Sequence, residues 1–347
     1  ALGAVGEPLQ RGVRPGESWQ ARQMNLTIQF DSLHVPLVAR AVAALREKIP
    51  RDLDVTGPMS LQANASGTLA RPRIENITLK APLFGASDYN AKITGSVEFS
   101  ESRTWEDAQL QGNLTIQPVA MAQLRKLRWL RQNVSPALVS DGTIAIYSRF
   151  EGSWDTLRFG ALVRGEKSEW RYKDWLQKPM DRPAEIRARV RRQKQQFVIA
   201  DSEIVSGLNR IGFSGTVDVG DEPKLQLRIY NSDVPLNGWS EWLAPSTMIG
   251  IAGRTDLNIM IDQRSLPGPG NDDWSVHGYF KLSGGDFKHS PSGHRIDQAN
   301  ATIRFDGQQA KLENVTFRLG ASNLALDGSA PNIFEPNASF QLRSAQL

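Results

Sequence analysis

The amino-acid sequence predicts an all-β protein of long antiparallel strands, and three observations predict it. Apolar and polar residues alternate over short runs throughout the chain, which puts one face of each strand against apolar surroundings and the other in water. Clusters of Gly, Asp, Asn and Pro separate many of these runs and supply the positive φ angles and Asx turns that hairpins need. The 10–15-residue helical pattern that parallel β/α units require between strands is mostly missing.

Taken in order, the first run is Met24, Leu26, Ile28 and Phe30, and Ile74, Ile77 and Leu79 make a second. Leu110, Leu114 and Ile116 follow, then Phe197, Ile199 and Ile204, then Leu225, Leu227 and Ile229. Leu257, Ile259 and Ile261 form another, followed by Val276, Phe280 and Leu282 and finally Phe340 and Leu342. Hairpin turns are expected at Asp141-Gly142, Val219-Gly220-Asp221, Ser283-Gly284-Gly285-Asp286 and Asp306-Gly307. Helical period is confined to Val35–Ile49, to Val119–Leu130 and to a short turn from Pro235 to Leu243. These read as plugs or caps on a sheet.

The chain has 347 residues, beyond the roughly 250–300 at which a single core stops growing, so several domains or an elongated array is expected. Apolar residues are 40% and charged residues 22%, too apolar for disorder. A net charge of +4 over this length does not indicate a nucleic-acid partner. The absence of cysteine excludes disulfides, thiolate nucleophiles and Cys-based zinc sites together. No stretch reaches the ~18–20 apolar residues of a membrane span, and Ala1 stands where a start Met would. A mature chain or a segment of a longer protein is therefore expected, with any anchor lying outside it.

The chain also repeats itself. Phe84-Gly85-Ala86-Ser87 leading to Thr94-Gly95-Ser96-Val97 aligns with Ser206-Gly207-Leu208-Asn209 leading to Ser214-Gly215-Thr216-Val217. Both align with Leu319-Gly320-Ala321-Ser322 leading to Asp327-Gly328-Ser329-Ala330, each copy being preceded by an alternating strand. A shared Glu-Pro sits at Glu222-Pro223 and Glu335-Pro336, and Val234-Pro235-Leu236 echoes Val35-Pro36-Leu37. A unit of about 110–120 residues is longer than solenoid periods, so the sheet is expected to grow by large modules. The expected division is a flexible segment at 1–23, then modules at 24–132 (helices near 35–49 and 119–131), 133–243 and 244–347.

Catalytic and ligand-binding patterns fail on spacing. His289 and His294 lie in a Ser/Pro/Gly loop without the one-face spacing of a helical zinc pair. Gly160 to Ser168 imitates a phosphate loop, but Glu166 intervenes where Lys must follow Gly. Gly212-Phe213-Ser214-Gly215 lacks the strand-to-helix setting of a nucleophile elbow. Asp272-Asp273 and Glu166/Glu169 read as solvated charges, and the Asn-X-Ser/Thr triplets, among them those at Asn76 and Asn314, read equally as glycan acceptors of a secreted eukaryotic chain or as strand-edge residues. Neither metal nor cofactor is expected, and no enzymatic activity. Arg125, Lys126, Arg128 and Arg131 beside Trp129 make the second helix basic, either a solvated face or a surface for membranes and acidic partners. Trp170 and Trp175, set among bases, read either as packing at a sheet edge or as a membrane or partner contact.

Val35-Pro36-Leu37 entering a helix, Ala65-Ser66-Gly67-Thr68-Leu69-Ala70-Arg71-Pro72-Arg73-Ile74, and Leu312 to Gly320 running into Leu326-Asp327-Gly328-Ser329 resemble the AsmA-like family of Gram-negative envelope proteins. Trp175-Leu176-Gln177-Lys178-Pro179 with Arg182-Pro183-Ala184 is similar to a turn of some members, with Met180-Asp181 where a small residue is usual. The resemblance covers most of residues 24–347. It implies an elongated, curled antiparallel sheet, a repeating β-groove with a few short capping helices, in the periplasm and tethered to the inner membrane by a helix absent from this chain. It also implies phospholipid or other acyl lipid as the partner, carried between inner and outer membranes, with an envelope protein as a further partner.

The physical case for lipid is that an apolar sheet face without covering helices must close on itself, dimerise or be occupied by something apolar. The groove residues expected are Leu114, Ile116, Leu225, Leu227, Ile229, Leu257, Ile259, Ile261, Phe280 and Leu282; the surface residues expected are Arg125, Arg128, Trp129, Trp170 and Trp175. The alternative is a structural or adhesive β-array whose apolar face is packed by its own side chains.

Overall fold

Alternation dictates strands, and strands dominate. In the computed structural model the described residues are 3–5, 23–33, 57–100, 107–127, 137–173, 176–207, 209–219, 224–239, 242, 248–265, 272–289, 292–333 and 337–344. Strand makes up 76% of them and helix 4%, so the chain is all-β, with antiparallel pairing. Contacts divide it into two units, Ala1–Pro136 with Asp141–Arg164 and Arg191–Lys194, and Ala137–Ser140 with Gly165–Val190 and Gln195–Leu347.

In the first unit the strands are β1 (Gly3–Val5), β2 (Leu26–Leu33), β3 (Met59–Gly67), β4 (Pro72–Ala81), β5 (Ala91–Glu98), β6 (Gln109–Ala120), β7 (Leu138–Gly152, its first residues in the second unit) and β8 (Arg158–Arg164). Each pairs with the next as a meander. Residues directly opposite in an antiparallel pair share a face. The register sets Phe30 opposite Leu61, Leu61 opposite Leu79, Leu79 opposite Ile93 and Ile93 opposite Leu114, an apolar row across five strands. The helix α1 (Met121–Leu124) follows β6 directly. Its Met121 and Leu124, with Leu83 and Phe84, pack on a core of Ala91, Ile116, Val119 and Ile144.

In the second unit the strands are β9 (Ser168–Tyr172), β10 (Leu176–Lys178), β11 (Glu185–Gln193, most of it here), β12 (Gln196–Ser206), β13 (Asn209–Asp218) and β14 (Lys224–Pro235). A 3-10 turn (Leu236–Trp239) follows, then β15 (Met248–Ser265), β16 (Asp272–His289), β17 (Arg295–Gly307), β18 (Gln309–Leu319), β19 (Ser322–Ala330) and β20 (Ser339–Ser344). From β12 to β20 each strand pairs with its successor.

The repeated wording acquires structural reasons. Gly207 and Gly320 sit at positive φ (58° and 61°) in two-residue turns closed by Ser206 opposite Asn209 and Leu319 opposite Ser322. Asn76, Asp201 and Asn314 occupy one position of the repeat and all have positive φ (53°, 37° and 54°) where the ladder shifts register. These are β-bulges, and Asn and Asp adopt this conformation more readily than other side chains.

Several expectations are corrected. Asp141-Gly142 lies inside β7, the Gly142 amide donating to Asp141 Oδ1 at 2.6 Å, and is not a hairpin turn. Ser283 to Asp286 lies inside β16 at a register shift, so its glycines kink a long strand instead of ending it. Among the described residues of the helix expected over Val119–Leu130, only the single turn α1 is helical, because Val119 and Ala120 still pair with Ile144 and Thr143 in the ladder. The aromatic and basic run around Trp170, which reads from sequence as a loop or irregular strand, is regular strand from Glu169 to Tyr172. The helix expected at Val35–Ile49 and the Glu-Pro pairs lie outside the described residues.

Candidate functional site

Each unit builds an apolar sheet face from alternate residues, and the register decides which predicted residues share it. In the second unit Leu227 lies opposite Ile261 and Ile229 opposite Ile259. Leu257 lies opposite Phe280, Ile261 opposite Val276, and Leu282 opposite Ala301. Leu225, two residues before Leu227, stands between Val217 and Gln263. The eight groove candidates of this unit therefore lie on one face, and Phe213, Ile303, Phe305 and Leu312 extend it in register. Sequence reading did not assign these four to the face: glycines break the apolar alternation beside Phe213, and a register shift follows Leu312. In the first unit Leu114 and Ile116 share a face with Ile93 and Ile146.

These large side chains are not sealed. Of the buried apolar residues most are small, such as Ala63, Ala65, Ala91, Ala299 and Ala310. The groove candidates of the second unit are all half-buried, while Lys224, Gln226, Arg228 and Met260 on the opposite face are exposed. Ile116, at 6% exposure under α1, is covered. One end of the first unit's face is thus closed by α1, Leu83 and Phe84.

The opposite face carries charge. Arg295 spans Asp286 and Asp297 at 2.5 and 2.7 Å, Arg304 meets Glu313 at 2.6 Å, and Arg254 pairs with Asp233. Hydrogen bonds from Arg295 hold the Asp286 carboxyl below its ordinary pKa, and Arg304 does the same for Glu313.

Among the surface candidates, Arg125 is an exposed residue at the end of α1. Arg128, Trp129 and Trp175 lie outside the described residues. Trp170 is half-buried and meets Trp242 edge-to-face, ring centroids 6.3 Å apart. Trp242 in turn donates its indole N–H to Ser206 Oγ at 2.8 Å, and Ser206 donates to the Pro183 carbonyl at 3.1 Å. Beside them Lys178 is 1% exposed, its Nζ donating to the carbonyls of Ser168 (2.6 Å) and Pro179 (3.0 Å). Burial pushes the Lys178 ammonium below its ordinary pKa, against the pull of Asp181, Glu166 and Glu169. The Lys-Pro wording marks this polar knot, whose role as a buried donor the sequence could not reveal.

His289 Nδ1 lies 2.8 Å from Ser292 Oγ in an exposed turn, and among the described residues no cluster of three His, Asp or Glu side chains could hold a metal ion. The phosphate-loop imitation is β8 followed by a turn whose Gly165 N–H donates to the Ala184 carbonyl. Among the described residues no helix is long and apolar enough to cross a membrane. The chain matches no family model, no curated protein and no solved structure.

Proposed function

We propose that the apolar sheet faces bind acyl chains and that the protein carries phospholipid between membranes as a periplasmic, AsmA-like component of the cell envelope. The observation that supports this is that Leu225, Leu227, Ile229, Leu257, Ile259, Ile261, Phe280 and Leu282 share one face and are each only partly buried. Leaving such a face wet is unfavourable, and covering it recovers roughly 25 cal/mol per Å² of apolar surface. Acyl chains suit it because they bind without directional contacts: each buried CH₂ contributes about 0.8 kcal/mol, and a face lacking a sharp polar anchor lets a chain slide. The envelope location and the tether rest on the sequence resemblance.

The test is photo-crosslinking to radiolabelled phospholipid from single positions on β15. Adducts are expected at 257, 259 and 261 and little at 258 and 260, which point to the opposite face. Ile259→Asp should abolish lipid co-purification seen by native mass spectrometry, whereas Met260→Asp should leave it intact. Uniform labelling, or none, would remove the lipid reading and leave a structural β-array.

A further inference from the structure

The polar face of the second unit holds a depression of about 780 Å³ that the lipid reading does not use. Its floor is one cross-strand row, Gly212 opposite Tyr230, Tyr230 opposite Asn258 and Asn258 opposite Tyr279. Two bulges shape it, one at Asp201 on β12 and one at Asp233 on β14, both with positive φ (37° and 52°). Bulges bend a strand and re-aim its side chains, and they gather beside binding sites. Gly212 completes the shape: a Cβ there would lie 2.4 Å from Tyr230 Cε2, so only glycine leaves room for the ring.

The polar groups are already oriented. Arg228 donates from Nε to Asn258 Oδ1 at 2.9 Å and stands over the Tyr230 ring at 5.3 Å. The Tyr279 hydroxyl donates to Asp256 Oδ1 at 3.4 Å. Glu203 at the rim is held by Arg187 and Arg210 at 3.0 and 3.4 Å. The volume falls in the range of small-ligand sites, roughly 300–1,000 Å³.

The lining also restricts the ligand. An acyl chain would strand these polar groups without partners. A phosphate or other anion meets Asp201, Glu203, Asp233 and Asp256 against only Arg210 and Arg228 among the lining side chains. A polyhydroxyl ligand meets no such penalty, since planar carboxylate, amide and guanidinium groups offer acceptors and donors side by side and tyrosine adds both a ring edge and a hydroxyl.

We propose that this depression is a non-catalytic saccharide-binding site, with Asp256 and Asn258 as its central hydrogen-bonding pair. Leu257 and the Asn231 opposite it also line the depression, but Asp256 and Asn258 lie on the face opposite Ile259, so saccharide binding through them is testable apart from lipid carriage.

Isothermal titration of the whole chain against maltopentaose, chitopentaose and dextran, with inorganic phosphate as a comparison probe, tests it. At least one saccharide should bind saturably, with Kd on the order of 10 μM to 1 mM. Asp256→Ala and Asn258→Ala, each with an unchanged far-UV circular dichroism spectrum and unchanged lipid crosslinking from position 259, should weaken that binding at least tenfold. Binding by none of the saccharides, binding equal to wild type in both variants, or a response to phosphate alone would overturn the proposal.

Discussion

At the scale of the residue, the repeated Gly of the Ser/Thr-Gly-Ser/Thr wording is set by distance. A Cβ on Gly215 would lie 2.0 Å from the Gln226 carbonyl oxygen, and one on Gly95 would lie 2.1 Å from that of Gln111. Backbone cannot yield as a flexible side chain can, so neighbouring strands must part. Gly215→Ala should therefore destabilise the second unit by about 1–3 kcal/mol, measured as a lowered urea midpoint with an unchanged m-value. Acid acts on the charged face by a different route. Asp286 has a folded pKa below its unfolded one, so its contribution is present above the unfolded value near pH 4 and is lost as pH falls further, where the unfolded chain binds the extra proton. The thermal midpoint of Asp286→Asn should lie below that of wild type at pH 6, and the gap should close on acidification toward pH 3. A gap independent of pH would mean that packing, not the Arg295 pair, decides the loss.

At the scale of the element, much was legible because period-2 alternation is a direct consequence of pleat geometry. Leu225, Leu227 and Ile229 announce β14, and their partners on β15 announce the same face. What was not legible was punctuation. Gly and Asx residues mark both the end of a strand and a bulge within one, and local sequence does not distinguish Asp306-Gly307, a true turn, from Gly284-Gly285, a kink inside β16. The Asn-X-Thr triplets at Asn76 and Asn314 likewise conceal bulges that only their common place in the repeat could have disclosed. The site was legible as apolar residues but not as a polar depression, since the row Gly212, Tyr230, Asn258 and Tyr279 is assembled from four strands. At the chain's last described strand, β20 leaves Phe340 and Leu342 at 59% and 61% exposure, and among the described residues it pairs with β19 alone. Apolar edges template association, and natural edges are blunted by charge. Leu342→Lys should reduce concentration-dependent self-association in sedimentation velocity, without lowering the thermal midpoint. A midpoint several degrees lower would show instead that Leu342 is needed for folding.

At the scale of the whole molecule, contacts run mainly between consecutive strands, so stability is expected to be a sum of local terms. Arrays whose members touch only their neighbours behave as nearly one-dimensional systems, in which a local defect lowers stability close to its own position. The two units supply matched defects for this question, because Gly95 and Gly215 hold the same place in the repeat and approach a neighbouring carbonyl almost equally closely. Gly95→Ala should accelerate amide hydrogen exchange in peptides of β4, β5 and β6 while peptides of β15 to β18 keep their wild-type protection. Gly215→Ala should do the reverse, accelerating β12, β13 and β14 and sparing β3 to β6. The expected acceleration follows from the predicted loss: each 1.4 kcal/mol raises the population of locally opened states about tenfold. Acceleration spread evenly over both units by either substitution would mean that the chain unfolds as one cooperative body, and a single substitution could then no longer be used to perturb one apolar face while leaving the other as an internal control for lipid binding.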